Sequence, residues 1–190
     1  MEAGDLAPGR TCGECTACCV LFPIDQPDLV KQAGVPCRHL GAAGGCGLHP
    51  NWPGVCREWF CGWRRLPRLG DDWRPDRSGI VVVFDDQGVP ADYPERPALK
   101  FILIGPDQAL YTPSFLGYVA GLVDARVPVL LAIPGPVGTF GAKAFLNRRI
   151  EPSVARRDGA EMTRVVAATL ATLRAGEFEA VSFVHGEPPS

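Results

Sequence analysis

Cys12-Gly13-Glu14-Cys15-Thr16-Ala17-Cys18-Cys19 is the stretch on which the reading of this chain turns. Four more cysteines follow at Cys37, Cys46, Cys56 and Cys61, and the rest of the 190 residues contain none. Cysteines used only as small core hydrophobes scatter along a chain, so this crowding marks a local site. A Cys-x-x-Cys pair brings two thiolates to one ion through a tight turn. Zinc asks for four such ligands in a tetrahedron at about 2.3 Å. An iron–sulfur cluster also takes four thiolates, commonly from a C-x-x-C-x-x-C run plus one distant cysteine, and Cys12, Cys15 and Cys18 match that run. Cys18 and Cys19 are adjacent, and neighbouring side chains diverge on a strand and lie about 100° apart on a helix. One ion is not comfortably served by both. Eight cysteines therefore suggest two four-ligand centres, or one centre with spare thiolates, and the sequence does not assign which cysteine goes where. His39 and His49 lie in the same region, in Cys37-Arg38-His39 and Cys46-Gly47-Leu48-His49. Either imidazole is a candidate to replace a thiolate on zinc; the plainer expectation for each is a local hydrogen bond.

An even number of cysteines can instead mean disulfides. The first ten residues have no apolar core of the kind a secretory signal needs, and no run of about 18 apolar residues suggests a membrane span. The expected location is the cytoplasm, where structural disulfides are rare, so metal or cluster ligation is favoured. The formal charge of −2 gives no reason to expect nucleic acid or an anionic membrane. The metal ion is the one partner the residues suggest, and no protein partner is legible.

Composition changes near residue 77. Residues 1–77 are rich in Cys, Gly, Pro and Trp, with few apolar residues to pack, so they read as a cysteine-rich zinc- or iron-chelating module. All four tryptophans, Trp52, Trp59, Trp63 and Trp73, fall here and could cover a small site. Residues 78–190 read as an α+β unit of unknown role. Ile80–Phe84 is a strand followed by a turn, and Ala98–Ile104 a second strand stopped by Gly105-Pro106. Thr112 caps a helix with Pro113 at its first position, running to about Ala125. Arg126–Ile133 is a third strand, Ala142–Asn147 a helical turn, and Val181–Val184 a short last strand. Asp158 with Glu161 opens a helix whose apolar face is Val165, Val166, Leu170 and Leu173, with Gly176 as its stop. The expected fold class is thus α+β: a small metal-stabilised N-terminal module packed on a unit of three or four strands and two main helices.

Other signals are weaker. Gly135 to Lys143 sits where a phosphate-cradling loop would, but Ala142 splits the Gly-Lys pair and Ala144 replaces the magnesium-holding Ser or Thr. Trp63-Arg64-Arg65, Arg68, Trp73-Arg74 and Arg77 interleave aromatics with arginines, as single-stranded nucleic acid binders do. Asp71, Asp72 and Asp76 balance them, and the arginines can offset metal-bound thiolates instead. His185 is expected to be solvated beside a frayed tail. No nucleophile–His–Asp set is present.

The cysteine run, with Pro36-Cys37-Arg38-His39-Leu40, Gly45-Cys46 and Cys56-Arg57-Glu58-Trp59-Phe60-Cys61-Gly62-Trp63, resembles the CxxCxxCC family. That family is described as a zinc- or iron-chelating domain, found mostly in bacteria, and its members are often labelled iron–sulfur proteins or oxidoreductases. The resemblance covers residues 12–63 and all eight cysteines. It implies zinc or iron binding, with an iron–sulfur cluster among the forms, and it implies no settled reaction. Members of that family usually carry a Tyr and an Arg-Pro between the sixth and seventh cysteines, where this chain has His49-Pro50-Asn51-Trp52-Pro53. An iron–sulfur oxidoreductase or electron-transfer enzyme, and a thiol-redox switch, are the alternative readings.

Overall fold

The computed structural model of the chain describes residues 6–42, 44–48, 51–93 and 97–186. The fold is mixed α+β. Its centre is a four-stranded sheet of β3 (Ile80–Asp85), β4 (Ala98–Leu103), β5 (Val129–Ile133) and β6 (Ala142–Phe145), in that spatial order. Two of its pairings, β3 with β4 and β5 with β6, are antiparallel, and β4 with β5 is parallel. A parallel pair needs a crossover, and α5 (Pro113–Asp124) supplies it. Its cap is the expected one: Thr112 Oγ1 accepts the Phe115 N–H at 3.2 Å, with Pro113 at the first turn. The Asp158 carboxylate likewise accepts the Glu161 N–H at 2.9 Å and starts α7 (Gly159–Arg174).

Both faces of the sheet are covered, which is why its strands read as unbroken apolar runs rather than alternating ones. On one face Val82, Phe101 and Leu131 pack against Phe115 and Val119 of α5, Ile150 of α6 (Asn147–Ala155), and Val166 and Leu170 of α7. On the other face Val81, Val83, Ile102 and Ala132 pack against Ala17, Leu21, Phe22 and Cys61. The helix that carries Cys18 and Cys19, and Cys61 itself, therefore sit directly on the sheet.

The elements that precede the sheet in the chain are short. They comprise α1 (Ala17–Leu21), a hairpin of β1 (Ile24–Gln26) and β2 (Leu29–Lys31), α2 (Gly54–Glu58), α3 (Gly62–Arg65) and α4 (Pro75–Ser78). The sequence does not announce the hairpin, since three-residue strands leave too short a pattern. Two tryptophans expected near the cysteines belong to the main core instead. Trp63 and Trp73 are buried, and Trp73 packs on Phe101, Phe115 and Tyr118 with ring centroids 5.0–6.3 Å apart.

Three further expectations are corrected. Ala142–Asn147 is not a helical turn. Its first four residues form β6, paired from Ile133↔Ala142 to Leu130↔Phe145, because an open sheet edge outweighs alanine's local preference. A third long helix, α6, follows with Pro152 inside it. The third strand starts at Val129 rather than Arg126, which instead turns the chain with φ of 54°. Val181–Val184 forms no strand. A single bridge joins Thr139 to Ala180, and the chain then runs back to β1, where Asp25 accepts the Val184 and His185 N–H groups at 2.7 and 2.9 Å. His185 is held there as well, its Nδ1 lying 3.0 Å from Asp25 Oδ1. Among the described residues no helix is long and apolar enough to cross a membrane.

Candidate metal centre

All eight cysteines are free thiols, each partly buried. The first pair closes a turn in which Cys15 N–H donates to Cys12 O at 3.0 Å. Cys15 sulfur accepts N–H groups from Ala17 and Asp76, which oppose the upward push that burial gives its pKa. Cys18 and Cys19 lie on α1. The Cys18 thiol donates to Cys19 sulfur, which with burial holds Cys18 firmly protonated. The same bond lowers Cys19 to about 7, against burial and with help from Lys31.

Main-chain bonds bring distant cysteines to this run. Cys37 N–H donates to Cys19 O at 2.8 Å. Cys46 pairs with Leu40 in an isolated bridge, and Leu40 N–H donates to Cys37 O at 2.9 Å. The Asp28 carboxylate accepts the Gly54 N–H at 3.1 Å, anchoring the helix that carries Cys56 beside the hairpin. Burial and the charges of Cys19, Cys37 and Cys46 push Cys56 up to about 11. Cys61 precedes α3, and its sulfur accepts the Arg64 and Trp63 N–H groups; burial still raises it. Gly62 makes this position possible. A Cβ there would stand 2.7 Å from Val82 Cγ1 and 3.1 Å from Val82 O, so only glycine lets α3 lie this close to β3.

Two cations are buried among these thiols. Arg64 is 8% exposed. Its guanidinium lies 3.7 Å from Cys12 sulfur and 5.2 Å from the Phe60 ring centroid, and its Nε has no hydrogen-bond partner. Lys31 is 3% exposed. Its ammonium donates to the carbonyls of Val20, Gln32 and Val35, each at 2.9 Å. Burial lowers its pKa, and Cys37, Cys19 and Cys18 oppose that. Among the described residues no carboxylate forms an ion pair with Lys31 or Arg64. Arg64 stands in the arginine run read from the sequence as an offset for thiolates. Lys31 was not singled out, although Leu29 and Lys31 share one face of a strand that buries both.

The position of the N-terminal loop is fixed by a third cation. Arg10 donates to the carbonyls of Trp63, Leu66, Pro67 and Leu69 and lies 5.1 Å from the Trp63 ring centroid, while Ala7 N–H donates to Arg64 O at 2.7 Å.

Among the described residues, no three Cys, His, Asp or Glu side chains already stand in an arrangement that would hold a metal ion. The donor chemistry fits zinc or iron nonetheless: thiols in number, N–H groups aimed at sulfur, and an orphaned guanidinium nitrogen buried beside them. His39 Nε2 accepts from Arg38 Nε at 3.2 Å, so that nitrogen is engaged locally. His49 lies outside the described residues. Lys143, the lysine of the glycine-rich loop, bonds Asp85 at 2.9 Å, and Asp85 bonds Lys100 at 2.6 Å as well. Comparison with protein-family models, with curated proteins and with solved structures returned no match.

Proposed function

We propose that this chain is a metal-binding protein whose N-terminal cysteines ligate zinc or iron, an iron–sulfur cluster being one form. The observation that carries the reading is the burial of Lys31 and Arg64 among thiols with no carboxylate partner among the described residues. A buried ion left unpaired costs several kcal/mol even after relaxation. Neutral thiols or disulfides would leave both cations without a countercharge, Lys31 held by carbonyl dipoles and Arg64 by the Phe60 ring. Thiolates bound to a metal stay deprotonated near neutral pH, and they supply the missing negative charge where the cations stand. The bound metal would add folding energy to a segment built from helices of four or five residues and a hairpin of two three-residue strands. The eight cysteines are the ligand pool, with the cysteine pattern's resemblance to the CxxCxxCC family in support. A reducing, cytoplasmic setting goes with this reading.

The test is elemental analysis with an absorption spectrum on protein purified without oxygen. Iron with acid-labile sulfide and a brown colour means a cluster; colourless protein with stoichiometric zinc means a zinc module. Metal-free protein with eight titratable thiols would end the proposal.

A thiol-redox switch is favoured by one observation, the Cys18–Cys19 hydrogen bond that lowers Cys19 to about 7. Full thiol reactivity before any chelator is added would select it over metal ligation.

A further inference from the structure

Hydrogen bonds gather the cysteines around Cys18 into two groups, and each group has one buried cation beside it. Cys18 and Cys19 stand on successive positions of α1. A helix turns about 100° per residue, so the two side chains leave it in different directions. The main-chain links then divide the other six. Arg64 joins Cys12 to Cys61: its guanidinium lies 3.7 Å from Cys12 sulfur, and its N–H donates to Cys61 O at 3.0 Å. Cys15 is tied to Cys12 by the turn between them. On the other side Cys37 is bonded to Cys19, Cys46 is bridged to Leu40 just beyond Cys37, and Asp28 holds the helix of Cys56 at the hairpin that carries Lys31.

Electrostatic neighbours follow the same division except at the vicinal pair, where Cys18 acts on Lys31 as well. Cys12 and Cys61 act on Cys18, and Cys12 and Cys15 act on Cys61. Cys19, Cys37 and Cys46 act on Cys56. The hydrogen bond between adjacent Cys18 and Cys19 is the direct thiol contact across the divide.

We propose that the thiols serve two separate four-thiolate centres: Cys12, Cys15, Cys18 and Cys61 with Arg64 as the compensating cation, and Cys19, Cys37, Cys46 and Cys56 with Lys31. The assignment rests on the metal-binding reading above and goes beyond it. It answers the problem posed by the vicinal pair, because Cys18 and Cys19 need not share an ion. It also needs neither His39 nor His49. Four thiolates on a divalent ion carry a net charge of −2, so a single buried cation beside each centre halves its charge. The two centres would be neighbours, since the loop carrying Gly44 and Gly45 lies against Gly13 and Glu14: a Cβ on Gly45 would stand 3.0 Å from Gly13 O, and one on Gly44 3.2 Å from Glu14 O.

The experiment is native mass spectrometry with metal analysis on the full chain, purified without oxygen. It compares the unaltered protein with two double variants, Cys12→Ser with Cys61→Ser and Cys12→Ser with Cys46→Ser. Two centres are expected in the unaltered protein, one in the first variant and none in the second. Loss of both centres from the first variant, with the far-ultraviolet circular dichroism of the long helices retained, would overturn the assignment. So would a single centre in the unaltered protein; either result leaves metal binding itself standing. Metal-free protein that takes up neither zinc nor iron would overturn the metal reading and the assignment together.

A second readout avoids the ligands. Chelator-driven metal release should be biphasic, with Arg64→Met accelerating one phase about tenfold or more and Lys31→Met the other. Acceleration of the same phase by both variants would count against two separately compensated centres.

Discussion

Replacing Arg64 by methionine keeps an unbranched side chain of similar reach and removes its charge. The guanidinium lies 3.7 Å from Cys12 sulfur. At an effective dielectric constant of about 20, a full thiolate at that distance attracts it by about 4.5 kcal/mol. Charge donation to the metal spreads the negative charge over several sulfurs, and removing a desolvated cation relieves part of its own burial cost. About half of the attraction, roughly 2 kcal/mol, is then expected to appear as weaker metal binding, which is about thirtyfold in dissociation constant. The assay is competition for zinc with a chromophoric chelator, run on both proteins at the same pH and ionic strength. Arg64 is nearly buried, so added salt should shrink the difference little. Arg64→Lys, which keeps the charge, should recover part of the affinity. A methionine variant that binds zinc within threefold of the unaltered protein would refute the view that Arg64 compensates thiolate charge.

Stripping the metal with a chelator should speed amide exchange in residues 6–62 and leave α5, α6 and α7 protected; unchanged exchange in the cysteine-bearing segments would contradict metal-dependent folding there. Trp73→Ala opens a cavity beside Phe101, Phe115 and Tyr118 and should cost about 3–5 kcal/mol in urea unfolding, with less than about 1 kcal/mol telling against its place in the core. Burial would raise Asp85, but hydrogen bonds from Lys100, Lys143 and the Gln87 N–H hold it at about 2 against a usual value of 3.8. Its folded pKa is depressed, so its stabilising contribution is present above the usual value and is lost as pH falls through about 2. The unaltered protein should therefore lose stability more steeply than Asp85→Asn between those limits, and parallel curves would dismiss the pairing.

The sheet and its two capped helices were legible because their signals are local: β-branched runs bounded by turn residues, and Thr112 and Asp158 each three residues before the N–H it accepts. What escaped depends on partners far along the chain. β6 is a strand because Ile133 to Leu130 offer it a ladder, and nothing in Ala142 to Phe145 alone says so. The hairpin at Ile24 to Lys31 is too short for periodicity to register. The cysteine site was legible as a count and a spacing. Two four-ligand centres could be read from that count, but the grouping proposed above could not, since it draws on Arg64 meeting Cys12 and on Cys37 bonding Cys19. Lys31 escaped because a lysine in a short polar stretch reads as solvated until the fold surrounds it with carbonyls.

The packing of α1 and Cys61 on the far face of the sheet has a consequence for biosynthesis. The last cysteine leaves the ribosome well before the strands that support it, since β3 begins at Ile80 and β6 ends at Phe145. At about 5–20 residues per second, the interval from Cys61 to Phe145 is about 4–17 s. During that time eight thiols are in the cell without their scaffold, open to oxidation or to capture of the wrong ion. On the proposed metal-binding reading, faithful loading depends on what the nascent chain meets in those seconds as much as on the finished fold.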